Sequence, residues 1–514
     1  MLYYISFEII IIFLILSLIL ISVLFESKIK DLGMFVSYPV AISIVTLVFS
    51  SCVLFFQMPV LRDFKILLFF DQYIIDFYSG FAKFFLLFGL ICILIFLQAY
   101  LLRYKQFFNE YLILVLFAFL GMVIMVSAYD FLILYLAIEL LALSSYALAA
   151  LRTDSRISIE AGLKYFITGT VASIFFLLGV ALVYLSTGTT NFNALSLYFI
   201  MVDSAAADPI LFYGIFFITV GLLAKLGAAP FHMWLLDVYQ GSPLVVTAFF
   251  SILPKIALIF LLIRLYYEVL GSSFIEIYIS ADYFKVFILN YFFFENNLSL
   301  LYMTALFSIC IGAIGGLVQI NIKRLFAYSS INNLGFILLA LSLGTVESLH
   351  SALFYFLVYI FLVINFFALF ITVRLFNKKP IVTILDLTGI DSLYALLLTL
   401  NLFSLAGVPP LAGFFSKLYI YFTLIEFGYT YTAILVVILS ILSAFFYIRL
   451  ISNLFFRGLK LEFWNLFFVN FKDLLTVAPM LLEIITLTTF FNVFFFFFVD
   501  KISNILFNLI FYLI

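Results

Sequence analysis

Four ionisable side chains stand in the middle of apolar sequence, and their types suit the passing of protons. Glu139 lies in "LYLAIELLALSSYALAA". Lys225 and Lys255 bound "KLGAAPFHMWLLDVYQGSPLVVTAFFSILPK", and Lys417 lies in "LAGVPPLAGFFSKLYIYF". A charge at the centre of a bilayer costs about 2.5–3.5 kcal/mol even on a mild insertion scale, so the four, unpaired and facing lipid, would cost roughly 10 kcal/mol. They are therefore expected to face a bundle interior, a water path or one another. Burial disfavours the charged form of such groups and a nearby opposite charge favours it. A Glu–Lys pair in a partly wet interior thus sits near a switching point. Separated, the lysine gives up its proton more readily; rejoined, it reloads. Arginine does not titrate and would not serve. The competing reading is a set of structural ion pairs that fix helix register. Lysine recurring near a second proline break, and a third lysine beside Pro254, weigh against it.

Other residues carry less. His232 lies just past a proline break, where relay and packing are equally open. Lys164 lies one turn into its helix near a basic end, as a snorkelling anchor or a member of the charge chain. His350 begins a helix near a loop and reads as interfacial; a haem clamped by the two histidines has no other support. Asp203, Asp208 and Asp237 read as solvated or capping. "GAIGGL" at 312–317 is small-residue helix packing, and "STGTTN" at 186–191 is a loop without the lysine of a phosphate-binding loop.

The elements that must position these groups are membrane helices. The chain has 514 residues, 67% of them hydrophobic and 10% charged, against about 25% charged in a soluble domain. Mean hydropathy is +1.32. Repeated apolar runs of 18 or more residues indicate an all-α polytopic membrane protein. A net charge of −1 gives no reason to expect nucleic acid as a partner. The three cysteines lie far apart and form no CxxC pair, so neither a disulfide framework nor a metal cluster is expected. The first apolar run is too long for a signal-peptide core and unlike a mitochondrial presequence, so insertion where the chain is made is expected. Most of the 71 phenylalanines read as A/T-rich codon drift on lipid-facing positions.

Fourteen spans are expected, near 3–25, 35–58, 80–102, 111–128, 130–151, 161–186, 209–239, 243–269, 298–318, 324–344, 349–376, 390–426, 430–456 and 476–499. The seventh and twelfth are too long for one straight helix and contain Pro230 and Pro409–Pro410, so both should be broken. Lys and Arg concentrate in loops after odd spans, which the positive-inside rule places in the matrix or cytoplasm, with both termini opposite. The broken spans are five apart, an odd number. Spans four to eight and nine to thirteen would then form two inverted five-helix repeats with ion sites at the breaks. This gives an N-terminal three-helix region (1–110), a first repeat (111–269), a second (298–456) and a C-terminal helix region (457–514).

At "KLGAAPFHMWLLDVYQGSPLVVTAFFSILPKIA" the chain resembles the antiporter-like membrane subunits of NADH:ubiquinone oxidoreductase, respiratory complex I, and their bacterial counterparts. "ELLALSSYALAA", "EAGLKYFITGTVASIFFLLGVALVYLSTGTTN" and "KRLFAYSSINNLGFILLALSLG" agree, and the match runs from about residue 76 to about 450. Spans six and seven favour the chain 2 branch. The resemblance implies a proton-translocating membrane-arm subunit with the other membrane-arm subunits and the lipid bilayer as partners, no cofactor in this chain, and a mitochondrial inner membrane location, with a bacterial plasma membrane second. It places the family's glutamate of span five on Glu139 and its lysines of spans seven, eight and twelve on Lys225, Lys255 and Lys417. One departure is "SSINNLGF" where the family reads "SSISHLGY": Asn333 replaces a histidine, so water, Tyr328 or Ser330 must substitute or this route is idle. The loop 270–297 is expected to be a lineage-specific contact surface. Two other functions stay open at this stage. One is a monovalent cation/proton antiporter subunit without an electron-transfer partner; the other is a structural scaffold that carries no protons.

Overall fold

The structure, a computed structural model, describes residues 4–25, 37–62, 64–104, 109–201, 209–270, 294–376, 382–387, 392–455 and 479–513. Most of the loop expected as a contact surface, and the segment 456–478, lie outside the described residues.

Long apolar runs become helices because a lipid-embedded backbone must satisfy its own polar groups. The N-terminal region is α1 (Ser6–Phe25), α2 (Ser37–Gln57) and α3 (Phe77–Tyr104). Next come α4 (Asn109–Ser127), α5 (Phe131–Ala149), α6 (Arg156–Thr187), the short α7 (Phe192–Met201), α8 (Pro209–Leu226), α9 (Met233–Gly241) and α10 (Leu244–Ile263). After the undescribed loop follow α11 (Phe294–Val318), α12 (Ile322–Leu341), α13 (Val346–Phe376), α14 (Ser392–Ala406), α15 (Ala412–Glu426) and α16 (Thr430–Phe455). The chain closes with α17 (Pro479–Phe494) and α18 (Val499–Leu513).

Among the described residues twelve helical stretches are long and apolar enough to cross a membrane, and the chain is an all-α polytopic membrane protein. The difference from fourteen lies in α1, whose apolar part is Ser6–Ser22, and in the region 390–426, which is two helices of 15 residues each. The one sheet among the described residues is a hairpin, β1 (Ile66–Leu68) with β2 (Tyr73–Ile75). The sequence reading ends the last span at 499, but the helix runs on: a 3₁₀ turn, Phe495–Phe498, leads into amphipathic α18. Its Val499, Leu506, Leu509 and Ile510 are buried, against α3 and α13. The phenylalanines do not all face outward. Phe49, Phe55 and Phe56 are exposed, whereas Phe96, Phe119, Phe176, Phe249 and Phe336 are fully buried.

Both expected breaks occur. At the first, Gly227 takes φ +74°; at the second, Gly407 takes φ +91°, and each is followed three residues on by proline. The same features occur twice in the same order. Gly121 of α4 packs against the backbone of α5, as Gly312 of α11 packs against α12. Asp130, just before α5, bridges to Asn191; Asn321, just before α12, bridges to Thr383. By this correspondence Ser330 of α12 occupies the position that Glu139 holds in α5. Three helices form the centre: nearly all the residues along the apolar stretches of α10 with its π-helical continuation Arg264–Val269, of α12 and of α13 are buried. The N-terminal region is not a detached unit, since α3 packs on α10 and α13.

Candidate functional site

Helix α5 presents Glu139 to Lys225 in the last turn of α8, with Nζ 3.7 Å from Oε1. The separation makes an ion pair without a direct hydrogen bond, and both atoms are buried. Beside them is a cavity of about 30 Å³ lined by Tyr146, Tyr165, Lys225, Trp234 and Pro254, room for one or two waters. Tyr165 stacks on Trp234 at 4.7 Å, and the Trp234 indole donates to the Ala224 carbonyl at 3.0 Å. The break thus exposes a carbonyl that an aromatic donor satisfies, which fixes the wall of the cavity.

Lys255, on fully enclosed α10, reaches the Tyr359 hydroxyl on α13 at 3.5 Å and lies 5.7 Å from that ring's centroid. No carboxylate lies within 4.0 Å of it among the described residues. Lys417, on α15, folds back over the second break and donates to the carbonyls of Leu405 (3.2 Å) and Ala406 (2.8 Å). Those are the unpaired carbonyls at the negative end of α14. The two breaks therefore use their lysines differently: Lys225 precedes its glycine on the first half-helix, Lys417 follows on the second. Between Tyr359 and Lys417 is a cavity of about 10 Å³, lined also by Asn333, Tyr355, Ser404 and Ser416. A Cβ at Gly407 would stand 3.3 Å from Lys417 Nζ and 3.0 Å from its Cδ, on a backbone that glycine adopts far more easily than other residues. Gly407→Ala is accordingly expected to lower thermal stability by about 1–3 kcal/mol, and the melting of the purified assembly checks it.

The remaining sequence candidates separate. His232 is buried at the start of α9, its Nδ1 without a hydrogen-bond partner. Lys164 is 45% exposed and pairs with Glu160 (2.6 Å) and Asp237 (2.8 Å), so it belongs to a surface cluster rather than the buried row. Asp237 is neither a cap nor simply solvated: it holds Lys164 and, at 2.9 Å, Arg324. His350 is buried. Helix α18, which covers it, stacks Phe507 on its ring at 4.0 Å. Tyr355 donates to Asn333 Oδ1 at 2.9 Å. Of the two named substitutes, Tyr328 lies over Gly315 of α11, while Ser330 lies near the phenols of Tyr239 and Tyr359 without a hydrogen bond to either. Its own hydroxyl donates to the Ala327 carbonyl at 2.8 Å. A row of polar groups, Glu139, Lys225, Tyr165, Tyr239, Ser330, Tyr359 and Lys417, with Lys255 on Tyr359, runs through the middle of the fold.

The profile of the family described as "NADH:quinone oxidoreductase/Mrp antiporter, TM" matches residues 128–282 and 269–446. The chain is 37% identical over 432 residues to NADH-ubiquinone oxidoreductase chain 2 of Marchantia polymorpha, covering 83% of this chain and 82% of that one. The chain belongs to this family. It is 36% identical over 433 residues to NADH-quinone oxidoreductase subunit N of Pelagibacter ubique, covering 84% and 86%. Among solved structures, a chain of respiratory complex I from Thermus thermophilus superposes with a TM-score of 0.69 at 26% identity, covering 94% of this chain and 97% of that one. A chain of the Mrp complex from Dietzia sp. DQ12-45-1b shares the fold, with a TM-score of 0.76 at 18% identity and coverage of 99% and 97%.

The matched family region holds Glu139, Lys225, Lys255 and Lys417. A second set of buried charges, which sequence reasoning missed, lies partly before it. Glu8 of α1 accepts from Lys83 of α3 at 2.6 Å and from the Tyr73 hydroxyl at 2.7 Å. Both carboxylate oxygens of Asp76 accept from Arg264, at 2.8 and 2.7 Å, its Oδ1 also accepts from the Ser79 N–H at 2.8 Å, and Arg264 Nε lies 3.4 Å from Glu268. Glu268 also faces Lys65 at 3.6 Å. Among the described residues no group of three or more His, Cys, Asp or Glu is arranged to hold a metal ion.

Proposed function

We propose that this member of the family is a proton-translocating membrane-arm subunit of NADH:ubiquinone oxidoreductase in the mitochondrial inner membrane, seated among the other membrane-arm subunits. The observation that carries the reading is the row of buried polar groups between Glu139 and Lys417 in the middle of a bundle of apolar helices. Redox energy arrives as a conformational or electrostatic signal, electron transfer from NADH to ubiquinone taking place in other subunits. This chain supplies titratable groups and no redox centre. Moving Glu139 away from Lys225 removes the charge that holds the ammonium, and the proton leaves through the adjoining cavity. Lys255 takes it by way of Tyr359, and the cavity shared by Tyr359 and Lys417 continues the row. His232 supplies a further titratable side chain at the first break, and Lys164 holds Asp237 outside the row.

Lys225→Met tests this. The complex is expected to assemble and to pump fewer protons per electron when reconstituted in liposomes. A normal proton/electron ratio in the assembled variant would sink the reading and leave the scaffold. The antiporter alternative shares the fold; it predicts that the protein purifies without NADH–quinone reductase activity, whereas the proposed reading predicts that the activity accompanies it.

A further inference from the structure

Lys323 opens α12 on the face where Lys and Arg concentrate. It is half-buried, and its Nζ donates to the Ser242 carbonyl at 2.6 Å. Its charged neighbours are Arg152 and Arg374, and no carboxylate lies within 4.0 Å of it among the described residues. Arg324, the next residue, is committed to Asp237. A carbonyl dipole, not an ion pair, therefore holds this ammonium. Its stem lines a cavity of about 10 Å³, with Tyr239, Thr247 and Phe366 among the walls, about the volume of one water. The Tyr239 side chain is 2% exposed and its hydroxyl completes no hydrogen bond; a buried hydroxyl left so is uncommon. Beyond Tyr239 stand Ser330, which lies near both phenols, and Tyr359, the partner of Lys255.

We propose that Lys323 is the proton-loading group of this chain on the basic face, feeding Lys255 through the cavity and Tyr239, Ser330 and Tyr359. This rests on the proton-translocating reading above. Neutral Lys323 takes a proton from water at the face and passes one to water in the cavity. Each hydroxyl accepts a proton on its oxygen as it releases its own, so Tyr239, Ser330 and Tyr359 end unchanged, and neutral Lys255 becomes the ammonium. The correspondence of Ser330 with Glu139 gives this step a structural logic. Where the first repeat carries a carboxylate that holds a charge, the second carries a hydroxyl that passes one on.

The plain alternative is that Lys323 only caps the end of α9 with a positive charge, which an arginine would also do. The test is the intact complex in liposomes carrying Lys323→Arg, Lys323→Met, Tyr239→Phe or Lys255→Met. The expected result is that Lys323→Arg loses the same share of pumped protons per electron as Lys323→Met and Lys255→Met. Lys323→Arg pumping at the normal ratio overturns the proposal. Should the Lys323 variants fail to assemble, Tyr239→Phe decides, since it keeps the ring and removes the relay: loss of pumping supports the path and normal pumping overturns it. A normal ratio in Lys255→Met would instead bring down the underlying reading, and the inlet with it.

Discussion

Lys255→Met is expected to pull stability and function in opposite directions. The lysine is 3% exposed, and its only polar contact among the described residues is the long one to Tyr359. An ammonium at such a site costs several kcal/mol of desolvation with no carboxylate to offset it. Methionine keeps most of the stem's volume and carries no charge, so the melting temperature of the complex is expected to hold or rise. Proton transfer through the middle of the row loses its one titratable group on α10 and is expected to fall on the order of 10²-fold. Lys255→Arg separates charge from titration. It keeps a cation, cannot release a proton, and is expected to pump no better than methionine. Measuring the melting temperature and the proton/electron ratio on the same preparation checks both halves. A destabilised Lys255→Met that still pumps at the normal ratio would make Lys255 a structural cation.

Cost made the row legible. Glu139, Lys225, Lys255 and Lys417 stand deep inside apolar runs, and that alone marks them. The breaks are legible too, because proline removes a donor and glycine precedes it by three residues in both places. The links between the lysines are not. Tyr239 and Tyr359 are two of 32 tyrosines, and nothing in their spacing separates them from packing residues; only the folding of α9, α12 and α13 around α10 brings them together. Span ends hide function for a related reason. Glu8, Asp76, Lys83, Arg264 and Glu268 stand near helix ends, where charges ordinarily meet water, and Glu8 with Lys83 and Asp76 with Arg264 pair across distant parts of the chain. The amphipathic period of α18 was present in the sequence, but Asp500, Lys501 and Asn504 interrupt the apolar run that defines a span.

Arg264→Met is expected to be strongly destabilising. The guanidinium is 1% exposed, donates to both oxygens of Asp76, lies against Glu268 and covers the Tyr78 ring at 5.3 Å. Removing it strands two buried carboxylates, and Lys65, nearly half exposed at 3.6 Å from Glu268, answers only one of them. Stranding one partner of a buried pair costs about 3–5 kcal/mol. The loss falls where α3 meets the π turn that ends α10, so the N-terminal helices should loosen first, and the melting temperature of the complex and its resistance to protease near Asp76 report it. Arg264→Lys, which keeps the charge but not the two-pronged geometry, is expected to lie between. Asp76→Leu combined with Arg264→Met should recover most of the loss, because a buried pair replaced whole by apolar side chains is often close to neutral. Arg264→Met within about 1 kcal/mol of the parent, the range of an exposed pair, would show that the network contributes little. Arginine does not titrate under these conditions, so this lock differs in chemistry from the lysine row. The lock's fixed guanidinium holds the N-terminal helices to α10, whereas Lys225 and Lys417 of the row, able to lose a proton, each line a cavity.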